Sequence, residues 1–295
     1  MARVTTPLLA GHLPGPNVTH DHPPHLRVTH SPWNWIPQRV LVRFRAMVVG
    51  WLGSSGILLA IHRYKEFRDH PIWFLIFHFG TVTFVLHFVF QMITFLWTFH
   101  HMYHPHIDSV QGRVSSAFVR ATSLPSDLGN PKKQERFHMF YSTTAVFSWM
   151  NAILYWFVTR PHNPDASAIG GPFTDLFGHG WLRSFAIFTT YTMPAITMLI
   201  ETMFFNSIKR PQSPIKHMVK LSGCSVLYII WGVLGGHLSG CYPFYWLNPM
   251  FVGGIESVVA HCMGFVALAP LTFIMVQGLI ALREGLTAPA RLREV

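Results

Sequence analysis

The sequence predicts an all-α, polytopic membrane protein with six transmembrane helices and both termini in the cytosol. Three observations carry that prediction. Half of the residues are hydrophobic and 12% are charged, where a soluble domain carries about 25% charge. Six apolar runs punctuate the chain, at Ala46–Ile61, Trp73–Phe99, Phe140–Val158, Phe185–Phe205, Met218–Leu238 and Gly253–Leu282. They approach or exceed the roughly 20 residues an α-helix needs to cross a bilayer. Finally, the basic residues fall on one side of those runs, as membrane topology requires.

Taken in order, residues 1–40 hold Pro, His and Thr without apolar periodicity and read as a mobile cytosolic tail. Its histidines (His20, His22, His25, His30) have no cysteine or carboxylate cluster beside them to complete a metal site. The sequon Asn17-Val18-Thr19 falls in this tail and is expected to stay unglycosylated on the cytosolic side. The transmembrane domain then occupies 41–285, and 286–295 form a second cytosolic tail. In the first run, Gly53-Ser54-Ser55-Gly56 allows a close neighbour. In the last, Pro270 supplies a kink. The runs are continuous rather than alternating, so they read as helices and not as barrel strands.

Orientation follows from counting Lys and Arg. Seventeen lie in the N-terminal tail, the second and fourth loops and the C-terminus, against five (Arg63, Lys65, Arg68, Arg160, Arg183) on the other side. The net charge of +10 is thereby read as topology and affinity for anionic headgroups, and no nucleic-acid partner is implied. Cys224, Cys241 and Cys262 are odd in number and widely spaced, giving neither a disulfide framework nor a zinc pattern. No signal-peptide apolar stretch precedes Pro14, so the first span is expected to act as the targeting signal.

Polar side chains inside the spans point to function, because they are costly there unless they face a bundle interior or a wet cavity. Counting inward from the lumenal side, Thr81 and His261 fall about 12 Å deep and Tyr191 about 10 Å. His78, Thr81, Tyr191, His237 and His261 thus share the lumenal third of the membrane and outline a candidate pocket. Thr83, His87, Gln91 and Thr94 make a second stripe on a different face of the second helix. On the fourth helix Thr190, Pro194, Thr197 and Glu201 line up, with Tyr191 at their edge. A carboxylate such as Glu201 must there be protonated, paired or near the headgroups. Tyr242-Pro243-Phe244-Tyr245-Trp246 is expected at the lumenal interface, on the pocket rim.

Tyr191-Thr192-Met193-Pro194-Ala195-Ile196, then Glu201, Trp231 and Cys241-Tyr242-Pro243-Phe244, resembles the androgen-induced (FAR-17a-like) membrane proteins. These are related to the androgen-dependent TFPI-regulating protein and, more loosely, to rolling-stone proteins. Phe77-His78-Phe79-Gly80-Thr81 is similar to a segment of that family's second helix, and the likeness covers roughly residues 45–282. The resemblance implies a multi-pass hydrolase of fatty acid esters of hydroxy fatty acids, with a threonine nucleophile and a histidine. It implies a lipid or fatty-acyl ester as partner, no cofactor, and residence in the endoplasmic reticulum or plasma membrane. The nucleophile falls on Thr81, or on Thr83 if the register slips by two. The family histidine falls on Tyr191, a poor base near neutral pH, so His78, His237 or His261 is expected to supply the imidazole, with His261 favoured. Tyr191 then donates to the developing oxyanion. The alternative is a non-catalytic lipid- or partner-binding protein that has lost the histidine.

A third class, a metal-dependent oxidase, is suggested by His100-His101-Met102-Tyr103-His104-Pro105-His106. Such enzymes need several histidine boxes, and a His-rich helix end resting on headgroups is the simpler reading.

Overall fold

The computed structural model describes residues 24–66, 72–103, 119, 122–125, 130–162 and 181–287. The first 23 residues of the expected tail, with the Asn17 sequon, His20 and His22, lie outside the described residues. So do His104 and His106 and the C-terminal stretch 288–295. The described chain is helical, and it contains no strand. Four helices are long and apolar enough to cross a membrane: Gln38–Ile61, Phe79–Tyr103, Pro214–Ser239 and Ile255–Thr287.

A short helix α1 (Pro24–Arg27) precedes α2 (Gln38–Glu66). A 3-10 segment, Ile72–Phe77, leads into α3 (Phe79–Tyr103), so the second apolar run is broken at His78. Helix α4 (Pro131–Ile153) starts at Asn130, whose side chain accepts from the Lys132 amide (3.1 Å), with Pro131 fitting the first turn. It widens into a π-helical segment, Leu154–Thr159. The fourth stretch comes in pieces: α5 (Trp181–Ile187), a π-helical Phe188–Thr192, α6 (Met193–Ile200) and a π-helical Glu201–Phe205. Helix α7 (Pro214–Ser239) ends at Gly240, which takes the left-handed φ of +73°. A 3-10 turn (Tyr245–Leu247) and α8 (Pro249–Val252) follow, before α9 (Ile255–Thr287).

Contacts fix how these stretches run. Helix α3 lies antiparallel to α2, with Phe84 against Gly56 and Arg45 bonded to Thr98. It is also antiparallel to α4, since Phe79 meets Phe147 while Trp97 meets Phe137. The fourth stretch runs parallel to α3, with Thr190 against Gly80 and Thr197 bonded to His87. Helices α7 and α9 are antiparallel, packing Tyr228 on Phe265 and His217 on Phe273. The six long stretches among the described residues therefore alternate in direction. Arg45 reaches Val28 and Phe205, and Arg283 reaches Thr202 and Asn206, so both ends of the described chain meet at one end of the bundle.

The core is aromatic. Phe79 is the hub of one cluster, with Phe147, Tyr228, Phe244 and Phe265 around its ring at 4.7–6.1 Å. The second cluster gathers Val28, Phe90, Phe137, Tyr141, Met198 and Ile280 toward the other end.

Three expectations change. Part of the stretch read as a mobile tail is packed: His25, Leu26, Val28 and Thr29 are buried, and Val28 belongs to the second core cluster. Aperiodic sequence conceals this because a short segment can seat single side chains without presenting a repeating face. Phe244 and Trp246, expected at an interface, are buried on Phe265. The chain folds back after Gly240, and Tyr242 occupies the place of the missing Gly236 side chain, where a Cβ would lie 2.3 Å from the ring. Arg45 and Arg283, counted among the flanking charges, are fully buried inside helices. The remaining fifteen basic residues still outnumber the five.

Candidate functional site: a buried polar seam between α3, α4 and the fourth stretch

The five residues of the expected pocket do not assemble around Thr81. On α3, successive side chains turn by about 100°. Phe79 faces α7 and α9, Gly80 faces Thr190 and Tyr191, and Phe84 faces α2. Thr81 thus points some 200° away from the face that meets α9, toward the side of exposed Val85. His261 sits on α9 one turn from Phe265, its Nδ1 bonded to the Ser257 carbonyl (2.7 Å) and its ring stacked on Trp246. It belongs to the opposite side of α3. His237 is exposed on α7, beside Tyr242. His78 stands at the start of α3, where its carbonyl accepts the Val82 amide (2.9 Å) and its ring meets Phe74 edge-on. Tyr191 lies on the neighbouring face of α3, its ring against Gly80 and stacked flat on Tyr155 at 3.9 Å.

The other stripe of α3 is the buried one. Thr83, His87, Gln91, Thr94 and Thr98 all face inward. Opposite them the fourth stretch presents Thr190, Pro194, Thr197 and Glu201, also buried. Helix α4 closes the seam with Ser148 and Asn151. Pro194 shapes it: proline has no N–H, and its ring crowds the carbonyl four residues back. That carbonyl belongs to Thr190, and Asn151 Nδ2 donates to it at 2.8 Å. The π-helical turns on either side, Phe188–Thr192 and Glu201–Phe205, absorb the break. Such wide turns recur at functional sites.

Hydrogen counting assigns the His87 tautomer. Thr197 has one hydroxyl proton, and it points back along its own helix to the Met193 carbonyl (2.7 Å). The 2.7 Å contact between Thr197 Oγ1 and His87 Nε2 is therefore donated by the ring, which leaves the lone pair on Nδ1. His87 Nδ1 is buried without a hydrogen-bond partner. The hydroxyls of Thr83 and Ser148 are in the same condition. Buried polar atoms are nearly always bonded, so the unpartnered Thr83 Oγ1 and His87 Nδ1, one turn apart on α3, are the candidate groups of the seam.

The seam closes at a charged end. Arg45 and Glu201 form a buried ion pair, so Glu201 is paired, one of the three states expected of it. Arg45 also donates to Thr98, Thr94, Val28 and Phe205. Arg283 donates to the carbonyls of Thr202, Asn206 and Ile208, taking up acceptors at the frayed end of the fourth stretch. Tyr141 bonds Thr202 at 2.9 Å.

Of the histidine box, His100 bonds Thr122 (2.8 Å) and His101 meets His30 edge-on. Among the described residues no three His, Cys, Asp or Glu side chains gather to hold a metal. On the short helix α1, His25 lies between Trp97 and Phe137, and burial, reinforced by Lys133, lowers its imidazole below the usual 6.5.

Compared with known proteins, the chain matches no family model, no curated protein and no solved structure. Its chemistry is read from its own residues. Ser148 and Asn151 are the seam residues that sequence reasoning missed. The signal was present: they stand three apart, on neighbouring positions of one face, inside the apolar run Phe140–Val158.

Proposed function

We propose that the chain is a six-span membrane protein, both termini cytosolic, that hydrolyses esterified lipids in the seam with Thr83 as nucleophile and His87 as base. The proposal includes residence in the endoplasmic reticulum or plasma membrane and kinship with the androgen-induced hydrolases. The nucleophile moves two residues from Thr81, the position implied by resemblance, to the alternative at Thr83. The carrying observation is the pair of orphan atoms: Thr83 Oγ1 and His87 Nδ1 are fully buried, unpartnered and one helical turn apart on the same face. A threonine hydroxyl needs a base to take its proton, and the lone pair on Nδ1 is that base. Thr83 Oγ attacks the ester carbonyl carbon while its proton passes to His87 Nδ1. The tetrahedral intermediate expels the alcohol, which takes that proton. Water then adds to the acyl-threonine, giving its proton to Nδ1, and the carboxylic acid leaves as Thr83 is regenerated. A fatty-acyl ester suits the apolar bundle around these groups.

The six spans draw on the alternating direction of the stretches and on the one-sided charge. Epitopes at the two termini should be reached from the same, cytosolic, face of sealed vesicles.

A second reading, a non-catalytic lipid- or partner-binding protein, draws on Tyr191, which stands where the family has its histidine and is stacked on Tyr155. The deciding test is turnover of a 4-nitrophenyl fatty-acyl ester by purified protein, with fluorophosphonate labelling mapped by mass spectrometry. Labelling on Thr83 and a 10²–10⁴-fold loss in Thr83→Val or His87→Phe are expected. Unlabelled, inactive wild type favours the second reading.

A further inference from the structure

We infer that Thr197 is the positioning residue of this seam: its hydroxyl oxygen holds His87 in the tautomer that leaves Nδ1 free to act as base toward Thr83. The inference deepens the hydrolase reading above and rests on it. Thr197 faces His87 as an acceptor because its proton is already in use. The hydroxyl points back along its own helix, 2.7 Å from the Met193 carbonyl and 3.2 Å from that of Pro194, the back-bonding habitual for a helical threonine. A hydroxyl has one proton and two lone pairs, so only a lone pair is left to offer across the seam. His87 Nε2 meets it at 2.7 Å and supplies the hydrogen. Both side chains are buried, and a neutral imidazole has one N–H to place.

The register that brings the two together is set elsewhere. Helix α3 and the fourth stretch run parallel, and Gly80 abuts Thr190 two helical turns before His87 meets Thr197. The same offset in number, 110, separates the partners at both contacts. A Cβ on residue 80 would lie 2.8 Å from Thr190 Cγ2, so the close approach needs glycine. That approach, carried two turns along the pair of helices, delivers Thr197 within hydrogen-bond length of the imidazole.

Loss of the acceptor reverses the ring. Without the Thr197 oxygen, Nε2–H is a buried donor with no partner, which is costly. The proton then belongs on Nδ1, from which it donates to Thr83 Oγ1, one turn back on the same face. In that state the threonine oxygen is an acceptor, and no lone pair stands ready to take its proton. Thr197 thus fills the place of the group that orients the base in a nucleophile–base–orienter set. Here a neutral hydroxyl does so in place of a carboxylate, and it fixes the ring without exchanging a proton with it.

The experiment compares Thr197→Val with Thr197→Ser in purified full-length protein, by turnover of a 4-nitrophenyl fatty-acyl ester and by ring-nitrogen NMR in detergent. The His87 signal is assigned by its absence in His87→Phe, and in the wild type it should show the Nε2–H tautomer. Thr197→Val should lose about 10²–10⁴-fold in kcat with KM little changed, and its His87 signal should move toward the Nδ1–H tautomer. Thr197→Ser keeps the acceptor and should retain the wild-type tautomer and most of the turnover. Wild-type turnover in Thr197→Val overturns the inference. So do equal losses in the two variants, which would mark a packing role for the threonine methyl. A wild-type ring protonated on Nδ1, or a tautomer unmoved by Thr197→Val, overturns this inference alone and leaves the hydrolase reading standing. A wild type inactive on the ester overturns the hydrolase reading and this inference with it.

Discussion

Asn151 reaches across from α4 to the carbonyl of Thr190, at 2.8 Å, the one carbonyl that Pro194 cannot serve as an α-helical donor. Sequence and packing meet in that bond. The proline breaks the fourth stretch, and an amide from another helix replaces the missing N–H. A buried carbonyl left without a donor is costly, so the Asn151 amide supports this turn.

A double-mutant cycle tests the dependence. Asn151→Ala should destabilise by about 1–3 kcal/mol, the cost of an unsatisfied buried acceptor. In a Pro194→Ala background residue 194 regains its N–H, and the same substitution should cost less than half as much. Equal costs in both backgrounds, measured by thermal unfolding in detergent, would show that the amide is not replacing the proline's missing donor.

Gly80 allows the fourth stretch to lie on α3. A Cβ there would sit 2.8 Å from Thr190 Cγ2 and 2.9 Å from Tyr191 Cε1. Both are closer than packed carbons tolerate, and Tyr191 is held by its stack on Tyr155. Gly80→Ala should therefore cost about 1–3 kcal/mol of stability by overpacking. It should also lower ester turnover more than Gly264→Ala, a change on α9 where a Cβ meets nothing. Matching stability and turnover in the two variants would exclude this packing role.

How much of this was legible in the sequence depends on the kind of signal. The stripe Thr83, His87, Gln91, Thr94 and its counterpart Thr190, Pro194, Thr197, Glu201 follow from helical spacing alone, and both are buried. Their meeting was not legible, because spacing gives the face of one helix and not its neighbour. Thr81 stood out through its motif, and only the directions of Phe79 and Gly80 reveal that it points elsewhere. Arg45 and Arg283 were hidden by their position, since a basic residue at the edge of an apolar run reads as a topology signal. Asn151 needed the break at Pro194 before its partner had meaning.

The pair Arg45–Glu201 should be indispensable as a pair. Both groups are buried, and Arg45 joins α2 to α3, to the segment at Val28 and to the end of the fourth stretch. Glu201→Ala leaves a buried cation without its anion and should cost about 3–5 kcal/mol. Arg45→Met with Glu201→Met, replacing both charges by apolar groups, should cost less than the sum of the single changes. Strict additivity in unfolding measurements would mean that the two charges do not depend on each other.

The last prediction concerns acid. His25 is buried between Trp97 and Phe137, with Nδ1 lacking a partner, and its imidazole is held below 6.5 by burial first and Lys133 second. The folded state therefore binds fewer protons at this site than the unfolded state does. Stability from this residue is fully present above the unfolded value of about 6.5 and declines as pH falls below it, until the folded form also protonates. The decline cannot exceed about 1.4 kcal/mol per pH unit from a single group. His25→Phe keeps a ring between Trp97 and Phe137 and removes the titration. Its unfolding midpoint should match that of the wild type near pH 8 to within the effect of the ring change, and should exceed it increasingly from pH 6.5 toward pH 5. Parallel midpoint curves for the two proteins over that range would mean that His25 binds protons equally well folded and unfolded. That result would be incompatible with the buried place of residues 24–29 against α3 and α4.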